Sequence, residues 1–261
     1  MKKRLKIPVR SLGAEEAQPT VEDLAAWIPA KRGSICDTIT YQLEHSLKQQ
    51  DTVDIACVGG FYYASRMLDS IEGIEENSLT AEPALSADDV IRDARSIITL
   101  RKQTWVCIPG VSELDIKNRY FRDDEEFFEV ICTLYLRLMR EMRDCGMAGH
   151  VVIGNRFSGE EYELLAGPKT FFFSPEPDRA ILSAILEVQT SIAIPPALLK
   201  LLPDFLDAYD LRHLILMDAR EPDFASAARE FDHEELTSGG YCVTDCDDYW
   251  NQIVEKAHIR I

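Results

Sequence analysis

No apolar run in the chain approaches the roughly 20 residues that a membrane-spanning helix needs. Basic residues are scarce: 28 Lys and Arg stand against 45 Asp and Glu, for a net charge of −17. A surface this acidic repels phosphate backbones, which argues against non-specific nucleic-acid binding. The five histidines, His45, His150, His213, His233 and His258, form neither HxH nor HExxH, and the cysteines include no CxxC. Zincin and paired-thiolate zinc sites therefore have no framework, and without a Gly-x-Ser-x-Gly elbow a serine hydrolase is a poor reading. Low-complexity tracts and long linkers are missing as well. What is present, 46% apolar and 28% charged residues over 261 positions, is the composition of a globular protein that buries a sizeable core.

Seven cysteines, an odd number scattered along the chain, do not read as a disulfide framework. Cys57 and Cys107 lie inside apolar runs, where a thiol behaves as a small buried hydrophobe. The opening MKKRLKIPVR carries five basic residues and no acidic one, with no apolar segment after it, so neither a secretory nor a transit peptide fits. A reducing cytoplasm is the simplest compartment. The basic tip reads as a solvated end, with contact to an acidic surface of the same protein as the alternative.

Residues 1–33 read as a loosely structured N-terminal extension and 34–261 as a single α/β domain. Beyond Ser34, short β-branched or aromatic runs alternate with amphipathic stretches. Strands are expected at Val53–Val58, Trp105–Ile108, Val151–Gly154, Thr170–Phe173, Thr190–Ile194, His213–Met217 and Tyr241–Thr244. Ile7–Val9 or His258–Ile261 would supply an eighth. Most are continuous apolar runs, as strands covered on both faces by helices require. Val90–Leu100 has helical spacing instead. Asp123–Cys145 is the clearest helix: acids open it, arginines close it, Gly146 stops it, and Phe127, Ile131, Leu134, Leu138 and Met142 form one stripe. Brief crossovers from Val151 onward imply neighbouring parallel strands connected right-handedly. The expected fold is α/β with a mostly parallel sheet, a (β/α)8 barrel being favoured over an open doubly wound sheet. The longer gaps on either side of Trp105–Ile108 leave room for an extra helix each.

Either architecture gathers its chemistry at the carboxyl ends of the strands. Met217-Asp218-Ala219-Arg220-Glu221 is the leading segment there: Asp218 as general acid or base, Arg220 as a clamp for a carboxylate or phosphate, Glu221 beside them. The plainer reading is that Asp218 caps the next helix. Asn155 and Arg156 would orient and anchor an anionic ligand. Gly59-Gly60 permits close approach to an anion at a helix start, or is simply a tight turn; it matches neither GxGxxG nor a P-loop, so no cofactor is read from it. Asp245, Asp247 and Asp248 read as helix caps, with a divalent cation between Asp245 and Asp218 as the lesser alternative.

Together these features describe a cytoplasmic protein, an enzyme acting on a small polar or anionic metabolite at the strand C-terminal ends. Lyase, isomerase, transferase and hydrolase chemistry all suit such groups. The alternative is a non-catalytic ligand-binding or regulatory protein whose acidic exterior meets a partner. Neither reading includes a nucleic-acid or membrane partner, a fixed metal or a defined oligomer.

Overall fold

The computed structural model describes residues 4–244 and 246–260, the side chain of Asp247 excepted. In chain order the elements are β1 (Arg4–Lys6), β2 (Val9–Ala14), α1 (Val21–Trp27), α2 (Thr38–Gln49), β3 (Cys57–Gly59), α3 (Ala64–Asp69), β4 (Ile71–Glu75), β5 (Ser78–Leu85) and α4 (Asp88–Leu100). There follow β6 (Trp105–Pro109), β7 (Lys117–Asn118), α5 (Asp124–Asp144), β8 (His150–Ile153), α6 (Gly159–Leu165), β9 (Thr170–Phe173), α7 (Arg179–Val188) and β10 (Ser191–Ile194). The chain closes with α8 (Leu202–Ala208), β11 (His213–Met217), α9 (Glu221–Ala227), β12 (Leu236–Cys242), α10 (Cys246–Lys256) and β13 (His258–Arg260).

Eight strands form two four-stranded parallel sheets, ordered β3-β6-β8-β9 and β10-β11-β12-β2. At one seam Ile55, just ahead of β3, exchanges backbone hydrogen bonds with Val9 and Ser11 of β2 at 3.0 and 2.9 Å. At the other, between β9 and β10, no ladder forms among the described residues. The arrangement is thus barrel-like, with sequential strands as neighbours around it.

Continuous apolar strands serve two faces at once. Phe171 and Phe173 of β9, Ile215 and Met217 of β11 and Val151 and Ile153 of β8 join one inner cluster, which takes a residue from every one of the eight strands. Their alternates Phe172, Leu214, Leu216 and Val152 join the outer core beneath the helices. The amino end of the interior is floored by the Arg10 guanidinium, 4.3 Å from the Trp105 ring and 4.8 Å from Phe171. Desolvation there pulls the Arg10 pKa down.

Helix α5 begins as expected, with Asp123 accepting from the Glu125 N–H at 2.9 Å, and it ends ahead of Gly146 at φ +110°. Several boundaries differ from expectation. The first barrel strand, Val9–Ala14, lies in the stretch read as loose, whereas the end segments β1 and β13 pair with each other, antiparallel, outside the barrel. The strand foreseen at Val53–Val58 begins at Cys57, and the one foreseen at Tyr241–Thr244 spans Leu236–Cys242. Gly239 is a barrel position with no room for a side chain: a Cβ would press on Ile215 and Met217. Ahead of β6 the long gap holds an antiparallel hairpin, β4–β5, as well as helices. Its two-residue turn, Glu76-Asn77, has φ of 47° and 55°, as a type I′ turn demands.

The basic tip is anchored in part, Lys6 pairing with Asp54 at 3.0 Å. A single disulfide joins Cys242 to Cys246 across the turn from β12 into α10, where none was expected; the other five cysteines are free thiols. The caps foreseen at Asp245 and Asp247, and the cation between Asp245 and Asp218, fall outside the described residues.

Candidate active site at the mouth of the parallel strands

Leaving β2, the chain carries Glu15 across the strand ends. Its Oε1 accepts the Phe61 N–H at 2.8 Å and the Tyr241 hydroxyl. Tyr241 points inward because it alternates with Gly239 along β12. Desolvation, with Cys107 and Glu15 close by, pushes its phenol far above the ordinary tyrosine value, so it stays neutral and donates. The glycine pair makes this junction possible. Gly59, at φ +90°, lies against the Cys107 carbonyl, and a Cβ on Gly60 would sit 2.9 Å from the Tyr241 hydroxyl and 3.0 Å from Glu15. The anion at this turn is therefore the protein's own carboxylate.

Across the barrel, the Phe173 ring lies 5.7 Å from Tyr241. One residue further, buried Ser174 donates from Oγ to Asn155 Oδ1 at 2.9 Å. Glu113 holds the backbone of this corner, accepting the N–H groups of Asn155 and Arg156 at 2.7 and 2.8 Å. The Arg156 guanidinium is mostly exposed, 3.7 Å from Glu113 and 3.9 Å from Asp115. A carboxylate–phenol pair at the ends of β2 and β12 and an amide–hydroxyl pair just past the ends of β8 and β9 thus lie on the strand-end side of the apolar interior, with an exposed arginine beside the second pair.

Asp218 is placed differently. The inward residue at the end of β11 is Met217. Asp218, at φ +52°, accepts the Tyr249 hydroxyl of α10 at 2.6 Å. Tyr249 lies on the outer face of β12, where a Cβ on Gly240 would meet its hydroxyl. Desolvation holds the Asp218 carboxyl above the usual carboxylate range, against the opposing pull of the Tyr249 hydrogen bond and Lys256. Glu221 leaves the mouth too, whereas Arg220 is exposed at the head of α9. The Arg220 N–H binds Asp223 Oδ2 at 2.8 Å at the start of α9, and Glu221 takes His258 at 3.1 Å and Arg260 at 3.4 Å from β13. Of the expected site residues, Gly59, Gly60, Asn155 and Arg156 lie at the strand ends of the mouth, Asp218 turns to Tyr249 of α10 and Glu221 to β13, and Arg220 is exposed at the N-cap of α9. Glu15 was missed in the sequence because no strand was expected to end beside it, and Tyr241 because it stood at the start of the expected strand Tyr241–Thr244 and not near the end of Leu236–Cys242.

No family model matches the chain, and no curated protein does. Solved structures do. The B12-independent methionine synthase from Shewanella sp. W3-18-1, in complex with selenomethionine, is similar over 97% of both chains, with a TM-score of 0.64 at 11% identity. A putative vitamin-B12-independent methionine synthase from Listeria monocytogenes matches 97% of this chain and 93% of its own, with a TM-score of 0.60 at 11% identity. The likeness is one of fold. The α/β architecture with parallel sheets stands on it together with the strand order. Among the described residues no helix is long and apolar enough to cross a membrane, and no three His, Cys, Asp or Glu side chains gather as a metal-binding group.

Proposed function

We propose that the chain is an enzyme that binds a small polar or anionic metabolite in the mouth, with Glu15 as the general base and Tyr241 as the neutral donor beside it. The observation that carries this reading is the Glu15–Tyr241 pair over the apolar barrel interior, at the ends of β2 and β12. A carboxylate there takes a proton from substrate, and the phenol, which stays neutral, orients that carboxylate through its hydrogen bond. Asn155 and Ser174 orient the ligand, and Arg156 meets its anionic end. Asp218 is assigned the positioning of α10 through Tyr249, since strand alternation turns Met217 and not Asp218 inward. The Shewanella protein of like fold holds selenomethionine, a ligand of the small polar kind proposed here. A setting away from nucleic acid belongs to the same proposal and rests on the charge of −17.

The test is a ligand screen by thermal shift over hydroxy acids, amino acids and sugar phosphates, followed by turnover assays on the hits. Glu15→Gln is expected to lower kcat about 10²- to 10⁴-fold while binding survives, and Tyr241→Phe to lower it less. Full turnover in both variants would sink the assignment. Binding without turnover in the wild type would favour the non-catalytic, ligand-binding reading instead.

A further inference from the structure

A hollow of about 640 Å³ lies away from the mouth, bordered by α1, α2 and the carboxyl end of α4. That volume lies within the range of small-molecule sites. A second, of about 320 Å³, shares His45, Lys48 and Asp51 with it. One wall is aromatic. Trp27 packs edge-on against Tyr41 with ring centroids 5.4 Å apart, and Tyr41 stacks on His45 at 5.6 Å with planes 12° apart. Hydrogen bonds fix this wall from behind: the Trp27 indole donates to Glu44 at 3.0 Å, and Glu16, its side chain only 7% exposed, holds His45 Nδ1 at 2.9 Å. Helix α1 buries no residue of its own, and Trp27 ties it to α2 through Tyr41 and Glu44.

The charges facing this space are unequally committed. Glu44 is taken by Lys31 and Ser96, and Arg101 by the carbonyls of Gln50 and Val53. Asp23 accepts from Thr20 through one carboxylate oxygen, Oδ2. Asp51 and Lys48 have no ion pair among the described residues; both are exposed. Along the lining the carboxylates of Asp23, Glu44 and Asp51 stand against the cations of Lys48 and Arg101, and the flanking Glu16 and Lys31 cancel, which leaves one net negative charge in a molecule of charge −17. Such a field draws in a cation, and the Trp27 ring already has one beside it, Lys31 Nζ lying 5.4 Å from its centroid, while one face of Tyr41 is covered by His45.

We infer that this hollow binds a small organic cation with an aromatic body, its ammonium at Asp51 and its ring against Trp27 and Tyr41. The site is separate from the mouth and does not depend on the function proposed there. Phenethylamine is titrated into ¹⁵N-labelled protein, with phenylacetate as a probe of similar size and opposite charge. The readout is the indole N–H cross-peak of Trp27, assigned with Trp27→Phe. A saturable shift is expected with phenethylamine, about tenfold weaker in Asp51→Asn and as tight or tighter in Lys48→Met, where a repelling charge is gone. Both positions are on the surface, and thermal melts of the two variants check that the fold is intact. No saturable shift, equal binding of phenylacetate, wild-type affinity in Asp51→Asn or weaker binding in Lys48→Met would each overturn the inference.

Discussion

His150 stands at the first position of β8 with its ring in the outer core, fully buried. Burial, with the Arg143 guanidinium adding to it, pushes the imidazole down to about 3. An unfolded histidine titrates near 6.5, so between roughly pH 6.5 and 3 the unfolded chain binds a proton that the folded protein refuses. The stability tied to this residue is complete above the upper value and is lost as pH falls through that window. His150→Gln should therefore flatten the fall of unfolding free energy from about pH 6.5 to 4, measured by urea titration at each pH; parallel curves for the two proteins would refute it. Single residues also mark where sequence reading ran short. The bounds of β11 were legible to the residue, but both of its faces are apolar, so nothing in the pattern says that Met217 turns inward and Asp218 outward. In β2 the apolar run is broken by residues that are polar or small for interior reasons. Arg10 floors the barrel, Ser11 donates to the Cys57 carbonyl at 3.1 Å, and Gly13, at φ +114°, has no room for a Cβ beside Cys107. Composition alone made that strand look like a loose end, and Glu15 was lost with it.

Three helices on the outer layer are joined through one buried ionic knot. Arg66 of α3, 4% exposed, donates to Asp93 of α4 at 2.8 Å and to Asp37, the cap of α2, at 2.7 Å. Asp93, 1% exposed, also accepts from Thr40 and the Tyr63 hydroxyl. Burial lifts the Asp93 carboxyl above its ordinary range while Arg66 opposes the lift. Arg66→Met would strand a buried carboxylate and should cost about 3–5 kcal/mol in chemical denaturation. Arg66→Met with Asp93→Leu should recover much of that loss, and a double variant as unstable as the single one would contradict this account. At the level of elements, long periodic helices such as α4 and α5 were legible because their stripes repeat over several turns. The β4–β5 hairpin was not: its outward residues are polar, and Gly73 and Pro83 read as breakers in a ribbon that is largely exposed. Two junctions carry the same tripeptide, Glu176-Pro177-Asp178 and Glu221-Pro222-Asp223, yet use it differently. Asp178 caps α7 from the N-cap position, whereas Asp223 reaches back from the third residue of α9 to the Arg220 N–H.

For the whole molecule, the sequence implied parallel neighbours through the brevity of its crossovers, and the two sheets follow that order strand by strand. The ring is hydrogen-bonded at the β2–β3 seam, while at the β9–β10 seam no ladder is present among the described residues. Closure of such a sheet needs register and tilt that no local pattern encodes. Where the mouth lies was readable from the rule for strand ends; which side chains turn into it was not, because that depends on alternation counted from boundaries a residue or two off.

The ribbon formed by β1 and β13 places Arg4 opposite Arg260 and Lys6 opposite His258. Backbone that meets in this way can be spliced. A short glycine-serine bridge from residue 260 to residue 4, with new ends cut between Glu76 and Asn77, would give a circular permutant that keeps every strand adjacency of the two sheets. The rearranged polypeptide should melt within about 5 °C of the original, and a larger drop would mean that the intact Glu76-Asn77 turn carries a sizeable share of the stability of this molecule.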